Sequence, residues 1–83
     1  MTPEDALVAR IRAGEPLDGV TLAGLDLRDR NLSGAQLGGA EIHGVLFDGA
    51  DLSGADLSGS IITKATFAAA IVDEVDLSDA QIA

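Results

Sequence analysis

The chain has 83 residues, 14 acids against five Lys and Arg, no Cys and a formal charge of -9. One small domain fits that length, and the missing Cys excludes disulfides and thiolate metal sites. No apolar run is long enough for a membrane span and no signal-like segment opens the chain, so a cytoplasmic, non-membrane protein is expected. The negative charge disfavours direct nucleic-acid binding and favours a basic partner.

Residues 2–14 are expected to form an N-terminal capping helix. Thr2 is placed as N-cap with Asp5 three residues on, and Pro3 suits the first helical position. Glu4 and Asp5 sit at the positive end of the helix dipole, and Arg10 and Arg12 near the negative end. Leu7, Val8 and Ile11 make one apolar face, Gly14 is a plausible C′ residue and Pro16 prevents continuation. So short a helix must pack on something to persist.

From residue 15 to 83 the period is five. Large apolar residues stand at Leu17, Leu22, Leu27, Leu32, Leu37, Ile42, Phe47, Leu52, Leu57, Ile62, Phe67, Val72, Leu77 and Ile82 without a gap. We call these positions centres. Two residues before most of them lies a smaller apolar residue, as at Ala35, Ala50 and Ala55. Two residues after lies Gly in eight of thirteen cases, suited to a corner with positive φ. Neither helix nor simple strand has this period. Each unit reads as one side and one corner of a coil, and four units close a turn of twenty residues. Centres twenty apart then form columns: Leu17, Leu37, Leu57 and Leu77; Leu22, Ile42, Ile62 and Ile82; Leu27, Phe47 and Phe67; Leu32, Leu52 and Val72.

The segments AQLGG at 35–39, ADLSG at 50–54 and 55–59, and VDLSD at 75–79, with looser copies LDLRD at 25–29 and RNLSG at 30–34, resemble the A(D/N)LXX motif of the pentapeptide-repeat family. That resemblance implies an all-β solenoid: a right-handed quadrilateral β-helix, here of about 3.5 coils, with an N-terminal α-helical cap. It also implies a C-terminal dimer contact, as family members often have.

The departures from the motif carry the site expectations. Arg30 falls in an inward slot and is expected either to reach a helix acid or to snorkel outward, since an unpaired buried charge is costly. Ser60, also inward, needs one backbone partner. Gly is absent from the later corners (Lys64, Ala69, Glu74, Asp79), so those turns are expected to change type. Leu46, Ile61 and Ile71 replace the outward Asp or Asn. The last coil is expected to stay uncapped, exposing Phe67, Val72, Leu77 and Ile82 with unpaired backbone groups. Together these seven form the candidate interface, with a homodimer at tens of micromolar as the expected result and an unknown protein partner besides.

No catalytic, cofactor or metal constellation is evident. His43 is the only histidine and reads as a solvated surface residue, and the serines lack a triad pattern. A non-enzyme is expected. Glu15, Asp18, Asp56, Asp76 and Asp79 share one side with no base, a candidate acidic stripe, although most acids occupy the slot where the motif itself prefers Asp or Asn. Two readings follow: a dimeric protein-interaction or structural module, alone or within a secretion-system accessory or effector, and an acidic DNA mimic. The second rests on the resemblance, since family members that inhibit or protect DNA gyrase use such a stripe.

Overall fold

A computed structural model describes all 83 residues, opening with helix α1 at Pro3–Arg12. Thr2 is its N-cap: the Thr2 hydroxyl accepts from Asp5 N–H at 3.0 Å, and the Asp5 carboxylate accepts from Thr2 N–H at 3.4 Å. This reciprocal box satisfies two donors that the helix would otherwise leave free. At the other end Gly14 takes φ 78 and donates to Ile11 O, while Glu15 N–H donates to Arg10 O. That is a Schellman arrangement, and it turns the chain out of the helix. Leu7 and Ile11 are buried in the same core as the repeat centres.

Four short strands follow: β1 (Thr21–Ala23), β2 (Glu41–His43), β3 (Ile61–Thr63) and β4 (Gln81–Ile82). They form one parallel sheet in sequence order, pairing Leu22 with Ile42, Ile42 with Ile62 and Ile62 with Ile82. Three further lines of parallel bridges share the twenty-residue offset. They run Pro16, Gln36, Asp56, Asp76; Asp26, Leu46, Thr66; and Asn31, Asp51, Ile71. The chain thus returns on itself every twenty residues along four lines, as the columns of centres require.

The core is built from the centres and the small residues two before them. Leu27, Leu32, Leu37, Ile42, Phe47, Leu52 and Ile62 are fully buried, as are Ala35, Ala40, Val45, Ala50 and Ala55. Phe47 and Phe67 stack with ring centroids 5.0 Å apart and planes 5° from parallel. Offset stacking of this kind adds about 1 kcal/mol to the burial itself. Ser60, fully buried among apolar side chains, donates its hydroxyl to Leu57 O at 2.7 Å, so no buried polar atom is stranded.

The later corners differ from the sequence expectation. They do not change type: Lys64, Ala69, Glu74 and Asp79 hold φ between 57 and 59, in the same left-handed region as the glycines. Asp29, in an early coil, does the same at φ 61. The ladder explains this. A corner residue such as Gly54 donates its N–H to the next coil and the following residue closes the turn, so one altered corner would break register on the adjoining sides. The non-glycine corners therefore carry strain, of about 1–2 kcal/mol each for an L-residue.

Candidate interaction surface at the C-terminal end

Burial falls away along the stack. Leu52 is 0% exposed, Leu57 2% and Ile62 1%, but Val72 is 53%, Leu77 44% and Ile82 60% exposed. Every centre up to Ile62 has a coil above it, and the last four, Phe67, Val72, Leu77 and Ile82, do not. These side chains surround an apolar bowl of about 180 Å³ at the C-terminal end of the stack. Phe67, Val72, Leu77 and Ile82 form its wall, Leu57 and Ile62 contribute to its floor, and no polar residue lines it. Val75, a residue in the smaller inward slot, also faces it. The expected list did not include Val75, although the inward alternation could have supplied it.

The candidate interface residues divide by position. Phe67, Val72, Leu77 and Ile82 come together in the bowl. Leu46, Ile61 and Ile71 do not join them: each lies on a different line of bridges, Leu46 between Asp26 and Thr66, Ile61 between Glu41 and Gln81, and Ile71 above Asp51. They point outward from three separate sides, and Leu46 is only half-exposed.

The candidate acidic stripe shares one line, but most of its members have structural work. Asp56 accepts from Ser58 N–H at 2.9 Å and Ser58 hydroxyl at 2.6 Å, and Asp76 treats Ser78 the same way. Asp51 does so with Ser53, and Asn31 with Ser33. Each is a local Asx turn that fixes the side chain before a centre. The serine contacts hold the Asp51 and Asp76 carboxyls below the usual carboxylate range. Asp18 accepts from Gly38 N–H, and Asp48 from Ala68 N–H, each twenty residues on. That coil-to-coil tie is invisible in a five-residue motif. Glu15 is paired with Arg10 at 2.7 Å, so a base does reach this side, from the helix. Asp79 stands at a corner with φ 59. Asp18, Asp56 and Ser58 gather around Gly38, where an added Cβ would make ordinary contacts of 3.6–3.7 Å with their oxygens.

At the N-terminal end the Arg30 guanidinium donates to Asp5, as its inward slot demands, and the Glu4 carboxylate accepts from Asp26 N–H at 3.1 Å. Arg30 is foremost in holding the Asp5 carboxyl below its ordinary range, and the Thr2 contacts add to it. Arg28 clasps Asp26 through two nitrogens at 2.9 and 2.8 Å. That clasp, helped by Arg28 N–H, lowers the Asp26 pKa to about 2.

His43 has neighbours that the sequence did not reveal. Its Nδ1 lies 2.6 Å from Thr63 Oγ1 and its Nε2 3.4 Å from Glu41 Oε1. A hydroxyl, an imidazole and a carboxylate in line resemble a hydrolytic triad in outline. Acyl transfer also needs free donors for an oxyanion. The adjacent Gly44 and Lys64 N–H groups are both spent on coil-to-coil bonds, to Thr63 O and Ala83 O. The arrangement is a cross-strand ladder on the outer face of the sheet. No three His, Asp or Glu side chains converge as metal ligands, and no helix is long and apolar enough to cross a membrane.

No curated protein matches the chain significantly. A family model described as pentapeptide repeats matches residues 40–79 in eight copies. Outside that stretch the same pairing continues, at Pro16 with Gln36 and at Ile62 with Ile82. Residues 40–79 are therefore eight pentapeptide repeats.

Proposed function

We infer that this chain is a non-enzymatic protein-interaction module, a right-handed quadrilateral β-helix of about 3.5 coils in which residues 2–14 cap one end and residues 15–83 supply a docking surface at the other. The observation that carries this reading is the wholly apolar bowl walled by Phe67, Val72, Leu77 and Ile82. Exposed apolar surface gathered in one concavity favours burial against a partner, at about 25 cal/mol per Å² covered.

For the protein alone, the occupant is a second copy placed end to end. The molecule measures 33 × 24 × 23 Å. An end bounded by the shorter extents offers on the order of 500 Å² per partner, against about 800 Å² in a standard interface. Such a dimer is weak, and the acids of both ends oppose it. Sedimentation equilibrium in high salt tests the reading. The wild type should dimerise at tens of micromolar, and Leu77→Asp should stay monomeric. A wild type that remains monomeric there, or a variant that dimerises equally, contradicts docking through this end.

DNA mimicry is the second reading, favoured by Asp18 and Asp56 closing on Gly38 along one side. It ranks lower because Asp56 and Asp76 accept hydrogen bonds within their own coils and Asp18 accepts one from the next coil. A supercoiling assay with DNA gyrase tests it for that target: inhibition at micromolar protein supports mimicry, and no effect removes gyrase, leaving another DNA-binding protein as the target.

A further inference from the structure

The coil-to-coil hydrogen bonds have a direction. Leu32 and Gly34 donate their N–H groups to Asp51 and Ser53 carbonyls in the next coil, whereas only Asp51 N–H returns, to Arg30 O. The next side repeats this: Leu37 and Gly39 donate to Asp56 and Ser58, and Asp56 N–H returns to Ala35 O. Three of the four sides, the third with Leu27 and Asp29 donating and Leu25 O accepting, thus send two donors toward the C-terminal end for every acceptor they offer there. On the last coil the N–H groups of Phe67, Val72 and Leu77, and of the corner residue two after each, find no acceptor. The carbonyls on the same rim are those of Ala65, Ala70, Val75 and Ala80.

Side-chain charge is also polarised along the stack. All four Arg lie within the first 30 residues, while residues 31–83 carry eight acids against Lys64 alone. Asp73, Glu74, Asp76 and Asp79 belong to the last coil. A second copy set end to end brings donors against donors and acids against acids. Head-to-tail stacking of copies is blocked, because α1 covers the N-terminal core.

We propose that the C-terminal end is built for a basic, extended polypeptide segment laid parallel on the last coil, with a large apolar residue every fifth position and Lys or Arg in its outward slots. Such a segment lines its carbonyl-rich edge against the unmatched N–H groups, as strand addition requires. Its apolar residues fill the bowl, and its bases meet the acidic rim. The proposal rests on docking through this end and adds the chemistry of the occupant.

Two twenty-residue peptides test it on the intact chain. Both carry Leu every fifth residue and Ala two before it, and the slot before each Leu is Lys in one and Asp in the other. At about 50 mM salt the Lys peptide should bind at least ~10-fold more tightly, with the gap closing as salt rises. Amide exchange at Phe67, Val72 and Leu77 should slow on binding by at least ~10-fold, which side-chain contact alone would not do. Equal affinity for the two peptides overturns the charge assignment, and unprotected amides overturn strand addition. If neither peptide binds, the proposal fails. The docking reading fails with it only if Leu77→Asp also leaves self-association unchanged.

Discussion

Ala69 and Gly54 occupy equivalent corners with φ 58 and 69, one with a Cβ and one without. An L-residue in the left-handed region is strained by about 1–2 kcal/mol, which Gly avoids at some cost in unfolded-state entropy. Nothing lies within 4 Å of where a Gly54 side chain would point, so strain alone decides that substitution. Ala69→Gly should therefore stabilise the protein by up to about 1 kcal/mol, and Gly54→Ala should destabilise it by about the same amount. Paired thermal melts check both, and a gain from Gly54→Ala would refute the account of the corners. The sequence marked these positions through the loss of Gly but implied a changed turn. Local propensity was a poor guide there because the coil-to-coil ladder overrides it.

Asp26 supplies the pH prediction at the same scale. Its folded pKa, about 2, lies below the unfolded value of about 3.9. The Arg28 clasp thus contributes fully above about pH 4 and is lost as pH falls toward 2. Thermal melts of wild type and Asp26→Asn across that window should differ most at neutral pH and converge in acid. A difference that widens in acid would contradict the assignment.

At the scale of elements, the helix and the first coil form one unit. Leu7 is 7% exposed and packs into the core, so Leu7→Ala should cost about 2–3 kcal/mol, measurable by urea unfolding. Arg30 and Asp5 couple the helix to the coil, and a double-mutant cycle should show them interacting favourably. Arg30→Ala raising stability would mean that the pair is not a tie. The helix was legible in the sequence because Thr2, Asp5, Pro3 and Gly14 each have a positional meaning. The tie was half legible from Arg30, since a charge in an inward slot must either find a partner or snorkel outward, and the pairing with Asp5 decides between them. The Schellman bonds at Gly14 and the clasp of Asp26 by Arg28 depend on backbone path and rotamer, which periodicity does not encode.

The whole molecule is a stack with unlike ends: one covered by α1 and rich in Arg, the other apolar, acidic and rich in unmatched N–H groups. The columns of centres were readable because stacking at twenty residues requires matched positions, and Phe47 on Phe67 is the clearest case. The bowl was half readable. The inward residues of the last coil gather there, whereas Leu46, Ile61 and Ile71 share only an apolar character and point from different sides. Four of the five stripe acids make contacts inside the protein: Asp56 and Asp76 with serines two residues on, Asp18 with Gly38 N–H and Glu15 with Arg10. Those hydrogen bonds need coordinates to be seen.

Amide exchange along the column Leu17, Leu37, Leu57 and Leu77 tests the central claim most directly. The first three N–H groups donate to Gln36, Asp56 and Asp76 carbonyls, and that of Leu77 has no acceptor. The account predicts slow exchange at Leu17, Leu37 and Leu57 and fast exchange at Leu77 in the monomer, with Leu77 slowing when the end is covered. Leu77 as protected as Leu57 in the monomer would contradict it.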